Sequence, residues 1–462
     1  MTIFEILAQA EYELLLFAGT FFLLGALDEF AMDLVWIWLR LSGRARSIRI
    51  NRKRARERVL SGPAAVFIPA WREEEVIELT VAHALSAWPQ ADLRLYVGCY
   101  RNDPGTAEAV MRAASGDSRV RLVINDRDGP TTKADCLNRL YAALEEDERR
   151  SGREFSMVVL HDAEDMVDSA ALGLLDHALE RAEFVQLPVL PEPQRHSRWV
   201  GSHYCEEFAE SHGKELLVRC ALGAGLPAAG VGCAFSRPVL ATIARRMNAS
   251  GPFSLDSLTE DYELGLRVKA AGGRARLLRA RGEDGQLVAT RAYFPSRLDQ
   301  SVRQKARWVH GIALQGWDRL GWSGGAGEWW MRLRDRRGPL SAFVLLSAYG
   351  LLLLSGILFV ARGFSFVPAW HADPVILALI AANFASLLWR AGMRFLFTAR
   401  EYGLMEGLRA VLRLPMSNII AIMAGRRAVF AYLGTLAGAP PRWDKTTHDA
   451  HPASAAILQT AR

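Results

Sequence analysis

The 462-residue chain is half hydrophobic and 23% charged, with a formal net charge of +6, enough for one large domain plus accessory segments. Its five cysteines (Cys99, Cys136, Cys205, Cys220, Cys233) are scattered without C-x-x-C spacing. That argues against a disulfide framework or a zinc site and fits a reducing compartment.

The chain begins with Glu5, Glu11 and Glu13, where a secretory signal would carry positive charge. Leu14 to Leu41 is apolar apart from Asp28, Glu29 and Asp33, so residues 1–42 read as a transmembrane segment. Each acid costs about 2.5–3.5 kcal/mol at the centre of a bilayer. The three acids should therefore face protein or mark a break in the helix, with Arg390 and Arg394 as expected partners. Nine Lys or Arg residues against one acid follow between Arg40 and Arg58. Directly after an apolar helix, such a block favours anionic membrane lipid over nucleic acid, and no nucleic-acid partner is expected.

Residues 43–337 form the expected catalytic domain. Short apolar runs at Ala65–Pro69, Leu93–Cys99, Val120–Asn125 and Met157–His161 alternate with helical stretches at Glu73–Trp88, Gly105–Ser115 and Lys133–Glu148. Another helical stretch follows Ser169. This alternation predicts an α/β fold with a mostly parallel sheet and helices on both faces. Ligands in such sheets bind beyond the C-terminal strand ends, which here carry Trp71-Arg72-Glu73, Arg101-Asn102-Asp103, Asn125-Asp126 and His161 through Asp165. No strand is followed by G-x-G-x-x-G, and there is no G-K-[ST] loop or H-E-x-x-H helix. Nicotinamide enzymes, NTPases and zinc proteases drop in rank accordingly.

Three motifs could carry chemistry, and each also has a purely structural explanation. In Asp162-Ala163-Glu164-Asp165, carboxylates one residue apart can hold a divalent cation against a diphosphate, or can simply form an acidic loop. Glu260-Asp261 opens a helix, where Ser257 and Glu260 could make a capping box. A carboxylate there could equally accept a proton from a sugar hydroxyl. In Gln304-Lys305-Ala306-Arg307-Trp308, Gln304, Arg307 and Trp308 can share a helical face. Arg307 suits a phosphate and Trp308 a pyranose face, although Arg and Trp are also common at membrane surfaces.

Beyond this domain, Leu340–Ala361 gives 22 residues without a charge, and Val375–Phe397 is apolar except for Arg390 and Arg394. Residues 338–398 are thus expected to form two further transmembrane helices. Residues 399–440 should form amphipathic interfacial helices broken at Pro415, and residues 441–462 a polar tail. The basic flanks place residues 43–337 in the cytosol by the positive-inside rule.

The order of these motifs resembles family 2 glycosyltransferases of the cellulose synthase and hyaluronan synthase type. An acidic strand end comes first, then Thr259-Glu260-Asp261, then Q-x-x-R-W beside apolar helices, with Lys133-Ala134-Asp135 after Gly129-Pro130 as an early loop. The likeness is strongest to a bacterial inner-membrane type, through Ile68–Trp71, Asn102–Pro104, Lys133–Asn138, Leu226–Arg237 and Trp443–Thr446. It implies a GT-A catalytic domain, an inverting reaction, a nucleotide-sugar donor that is UDP-linked, and Mg2+ or Mn2+. Asp261 would then be the general base, beside Glu260. Asp103, Lys133, Asp135, Asp162, Gln304 and Arg307 would bind the donor, and Trp308 the acceptor. Asp162, with Glu164 or Asp165, would hold the metal, since Glu164 departs from the family's Asp-x-Asp. The acceptor would be a growing envelope or exported glycan, with an export partner, or alternatively a polyprenyl-phosphate lipid receiving one sugar. A catalytically silent membrane scaffold is the alternative outside enzymology.

Overall fold

The computed structural model describes residues 3–365, 373–439 and 451–453, and within them the apolar runs become strands, the central ones buried on both faces and the edge run Val120–Asn125 half-buried. The strands are β1 (Ile48–Arg49), β2 (Ala64–Pro69), β3 (Leu93–Tyr100), β4 (Val120–Asn125), β5 (Met157–Leu160) and β6 (Phe184–Gln186). They continue with β7 (Val189–Pro191), β8 (Cys233–Ser236), β9 (Ala275–Leu277), β10 (Ala280–Arg281) and β11 (Thr290–Ala292). Seven of them form one sheet in the order β4-β3-β2-β5-β8-β6-β9. Only β8 runs against its neighbours β5 and β6; the other pairings in this sheet are parallel.

The period-2 geometry of a strand divides the core into two layers. Along β2, Val66 and Ile68 pack with Ile77, Val81 and Trp88 on one face of the sheet. Ala65 and Phe67 pack with Leu137, Leu140 and Phe235 on the other. Each large apolar side chain so buried contributes about 1.5–3 kcal/mol, which is why a central strand carries no polar residue on either face. The remaining strands pair outside this sheet, β1 with β10 and β7 with β11.

Among the described residues, four helices are long and apolar enough to cross a membrane: Ile3–Leu41, Gly338–Gly363, Pro374–Tyr402 and Leu414–Leu436. The first runs unbroken through Asp28, Glu29 and Asp33. The fourth lies where the sequence suggested interfacial helices. Both helices of that region expose apolar residues, Leu404, Leu408 and Leu412 on the short helix Leu404–Leu412 and Ile419, Phe430 and Leu433 on the fourth. Pro415 falls in the first turn of the fourth helix, where its missing N–H is not needed. The tail residues Trp443–Thr446 lie outside the described residues.

The acids of the first helix are all paired, but mostly not with the expected arginines. Arg390 Nη1 does reach Glu29 Oε2 at 3.0 Å. Arg394 instead approaches Glu206. Asp28 takes Arg334 and Arg337, and Asp33 takes Lys214 Nζ at 2.6 Å and Trp389 Nε1 at 2.8 Å. Lys214 belongs to a π-helical turn, Ser211–Glu215, so the catalytic domain itself neutralises the helix. The basic block after the first helix also divides. Arg52 pairs with Asp168 and Arg58 with Asp176, whereas Arg44, Arg46, Arg49, Lys53 and Arg54 stay exposed.

Candidate active site

At the end of β5 the chain turns through His161-Asp162-Ala163-Glu164-Asp165. The last of these acids is turned inward. The Asp165 carboxylate bonds His161 Nδ1 at 2.8 Å and accepts Asp162 N–H at 3.0 Å, bracing the turn. Burial raises its pKa, against the pull of His161. Asp162 and Glu164 are more open, and both line the cavity beyond the strand end. Of the two candidate second ligands, Glu164 is therefore the better placed.

The helix Lys133–Ser151 begins at Thr132, whose side chain accepts Asp135 N–H at 3.2 Å. This start aims Lys133 across the cavity, and its Nζ meets Asp162 Oδ1 at 2.5 Å. Burial alone would lower the pKa of this ammonium. Asp162, Glu260 and Asp261 outweigh it and raise the pKa above the ordinary lysine value.

The helix Glu260–Ala270 starts at the opposite wall. Thr259 holds the N-cap position without a side-chain capping bond, so the Ser257–Glu260 capping box is not formed. Asp261 Oδ1 accepts Tyr262 N–H at 2.7 Å. Burial raises the Asp261 pKa while Lys133 lowers it, and the net shift is upward. Burial and then the Asp261 charge push Glu260 up to about 7. Gly230, with φ +78°, lies against this carboxylate so closely that a Cβ would overlap Asp261 Oδ2.

Gln304, Arg307 and Trp308 come from the helix Leu298–Trp308, which continues into a second π-helical turn, Val309–Gln315. Single π turns occur frequently at functional sites, and this one packs Gly311 directly against Thr259. Gln304 is buried, and its Oε1 has no hydrogen-bond partner among the described residues. Trp308 stands in an aromatic wall, with ring centroids 6.3 Å from Phe208 and 6.4 Å from Phe294. Lys305, on the far side of the helix, pairs with Glu207 at 2.5 Å.

One cavity is lined by Lys133, Asp162, Glu164, Asp165, Glu260, Asp261, Gln304, Arg307 and Trp308. Asp103 and Asp135 do not line it. Asp103 accepts Arg72 N–H at 2.6 Å, and Asp135 accepts Asn125 Nδ2 at 3.2 Å and pairs with Arg127. In this conformation both hold loops rather than face the cavity. The lining also includes Trp71 and Glu73, from a strand end that the sequence placed beside the ligand, and Tyr100, which the sequence did not single out. Trp71 and Tyr100 meet edge to face at 5.0 Å, and Tyr100 Oη bonds Thr131 Oγ1 at 2.8 Å. The available signal was an aromatic residue immediately after a buried strand.

Residues 62–311 match the family described as glycosyltransferase like family 2. The chain belongs to this family. It is thus a glycosyltransferase of GT-A type, with the acidic strand end, Glu260-Asp261 and Gln304–Trp308 all inside the matched residues. Bacteriophage adsorption protein B of Escherichia coli K12 is 33% identical over 454 residues, covering 92% of this chain and 60% of that protein. Bacteriophage N4 adsorption protein B of Escherichia coli O157:H7 matches to the same extent. The chain therefore spans about 60% of the length of these curated relatives. Among solved structures, a mannosyltransferase from Pyrobaculum calidifontis in complex with GDP-Man and Mn2+ superposes with a TM-score of 0.48 at 16% identity. The superposition covers 87% of this chain and 99% of that one. Glucosyl-3-phosphoglycerate synthase from Mycobacterium tuberculosis, in complex with Mn2+, UDP-glucose and phosphoglyceric acid, gives 0.30 at 17% identity. That match covers 52% of this chain and 74% of the synthase.

Proposed function

We propose that this chain is a membrane-embedded, inverting glycosyltransferase. It transfers a sugar from a nucleoside-diphosphate sugar to a growing cell-envelope or exported polysaccharide. One observation carries the reading: a half-buried carboxylate, Asp261, faces the same cavity as Arg307, Gln304, Trp308 and the acidic strand end.

Asp261 takes the proton of the acceptor hydroxyl as that oxygen attacks the anomeric carbon. Arg307, with its bidentate guanidinium, stabilises the charge that develops on the departing diphosphate. The unpaired Gln304 Oε1 offers an acceptor for a ligand hydroxyl or amide. Trp308 offers an apolar ring face for a sugar, flanked by Phe294 at a steep angle, and Trp71 lines the same cavity as a candidate face for the nucleobase.

The donor set suits Mg2+ or Mn2+ held jointly by protein and substrate. Asp162 and Glu164 are hard oxygen ligands, and no group of three His, Cys, Asp or Glu among the described residues could form a separate cage. Such ions are commonly bound through one or two carboxylates plus substrate phosphates. When bound, the ion would neutralise charge on the leaving diphosphate. Four membrane-length helices among the described residues and the exposed Arg44, Arg46, Arg49, Lys53 and Arg54 support a bacterial inner-membrane setting with the catalytic domain in the cytosol.

The direct test assays sugar transfer across a panel of nucleotide sugars with the wild type and Asp261→Asn. Transfer should be abolished in the variant while nucleotide binding stays nearly intact. Wild-type turnover by Asp261→Asn would remove the assigned base. Product length then separates a polysaccharide ladder from a single sugar placed on a polyprenyl-phosphate lipid.

A further inference from the structure

The arginines that precede the second membrane helix turn inward. On the helix Ala326–Arg336, Arg332 pairs with Glu328 at 3.0 Å, and Arg334 with Asp28 and Glu29. Arg337, just beyond, also pairs with Asp28 and Glu29. Arg336 is buried and donates to the Gly316 and Gly321 carbonyls at 2.8 and 2.7 Å.

What this surface offers outward is aromatic. Trp322 stacks on Trp329 at 4.9 Å and meets Trp317 edge-on at 4.8 Å. The Arg336 guanidinium lies 4.3 Å from the Trp322 ring and ties the cluster down from below. Even so, Trp317 remains 53% exposed and Trp329 48%, with Leu333 beside them at 56%. Burying such a face stabilises a protein, so its exposure marks a surface that something covers.

Two continuities say what covers it. The helix Gly338–Gly363 begins two residues after Arg336, and its first turns expose Leu340 and Phe343. They continue the exposed apolar residues Trp329 and Leu333 along the chain, across the break at Arg337 between the two helices. Next to Trp317, Asp318 accepts a hydrogen bond from Tyr432 Oη at 2.7 Å, near the C-terminal end of the helix Leu414–Leu436. The cluster therefore sits where the membrane helix Gly338–Gly363 starts, beside a helix that touches the catalytic domain at both ends, through Arg413 on Glu206 and Tyr432 on Asp318, which is the level of the headgroups. Trp is enriched there because its ring is apolar and its N–H polar.

We propose that Trp317 and Trp329, backed by Trp322 and Arg336, form an interfacial anchor that inserts among lipid glycerol and headgroup atoms through apolar contact rather than charge. The anchor joins the active site by a short path. Trp317 follows the π turn Val309–Gln315, whose Gly311 touches Thr259 and whose Gln315 Oε1 accepts Leu258 N–H at 3.1 Å. It thereby fixes the height of Glu260-Asp261 and Trp308 above the bilayer. The inference rests on the membrane-spanning part of the reading above and not on the transferase chemistry.

The test uses the full chain in phosphatidylcholine nanodiscs, with bromine atoms on the acyl carbons nearest the glycerol. Co-elution with the discs is recorded first, and its failure would sink the membrane reading together with the anchor. The emission of Trp317 and Trp329 is taken as the difference between wild type and Trp317→Phe/Trp329→Phe, a change that keeps aromatic packing. That difference should fall about twofold or more in brominated discs, and equally when a third of the lipid is anionic. Emission quenched by aqueous iodide but not by bromolipid would overturn the anchor. So would emission that neither quencher reaches, which means protein covers the face. Quenching seen only with anionic lipid would overturn the charge-independent mode.

Discussion

Lys133 Nζ lies 2.5 Å from Asp162 Oδ1, joining the helix that follows the Gly129-Pro130 turn to the acidic strand end. The same ammonium acts on Glu260 and Asp261, so one cation serves carboxylates from two separate elements. Without it, the negative charges of Asp162, Glu260 and Asp261 would repel both one another and an incoming diphosphate.

Lys133→Met should therefore damage both donor binding and turnover. A lost preorganised charge of this kind typically costs on the order of 10²–10³ in rate. We expect kcat/KM for the nucleotide sugar to fall by about 10² or more, with KM rising, as read from initial rates over a donor series. A variant that keeps wild-type KM would show that Lys133 does not meet the donor.

The pH profile should carry the signature of a coupled carboxylate pair. Burial and the Asp261 charge hold Glu260 at about 7, and burial also raises Asp261. The base is active when ionised, so activity should be lost as pH falls, with the acid limb of kcat/KM close to neutrality rather than in the ordinary carboxylate range. Coupled groups titrate as a pair. Glu260→Gln removes one member, so the Asp261 proton should leave more readily and the acid limb should move to lower pH. An unmoved limb would mean that the two groups titrate independently.

The catalytic domain's grip on the first helix is a separate matter, testable by stability. Lys214 is fully buried and bonds Asp33 and Glu210, each at 2.6 Å. Removing one partner of a buried pair leaves an uncompensated charge and costs about 3–5 kcal/mol. Lys214→Met should lower the melting temperature in detergent clearly. Lys214→Met/Asp33→Asn, which also removes one orphaned acid, should recover part of the loss. A double variant no better than the single one would mean that this pair is not coupled.

These contacts also show what was legible in the sequence. The runs at Ala64–Pro69 and Met157–Leu160 could be read because a parallel strand buried on both faces has no polar alternation. The three-residue β6 could not, because it is too short to show a period, and β8 could not because Gly230 and Gly232 leave no distinct apolar run before it. The three motifs shared a cavity as their order suggested. Asp103 and Asp135 were harder, since a polar residue after a strand can serve a neighbouring backbone as readily as a ligand. That the acids at 28, 29 and 33 needed cations followed from solvation. Which cations they take depends on contacts with Lys214, Arg334 and Arg337, each more than 180 residues away. Fold-level pairing at that distance leaves no local trace.

The glycine at position 230 gives the sharpest test of the proposed base. Its φ of +78° favours glycine, and a Cβ there would overlap Asp261 Oδ2. Gly230→Ala must either shift the Asp261 carboxylate or move the loop that carries residue 230. The three atoms nearest that Cβ all belong to Asp261, so the perturbation enters first through Asp261. A displacement of about 1 Å at a reacting group can cost on the order of 10² in rate. We therefore expect kcat to fall about 10²-fold while donor binding, followed by nucleotide titration, changes little. Adding Gly230→Ala to Asp261→Asn should produce almost no further loss, because the group it displaces is already inactive. An additive loss in the double variant would place the effect of Gly230 elsewhere and weaken the assignment of Asp261 as the base.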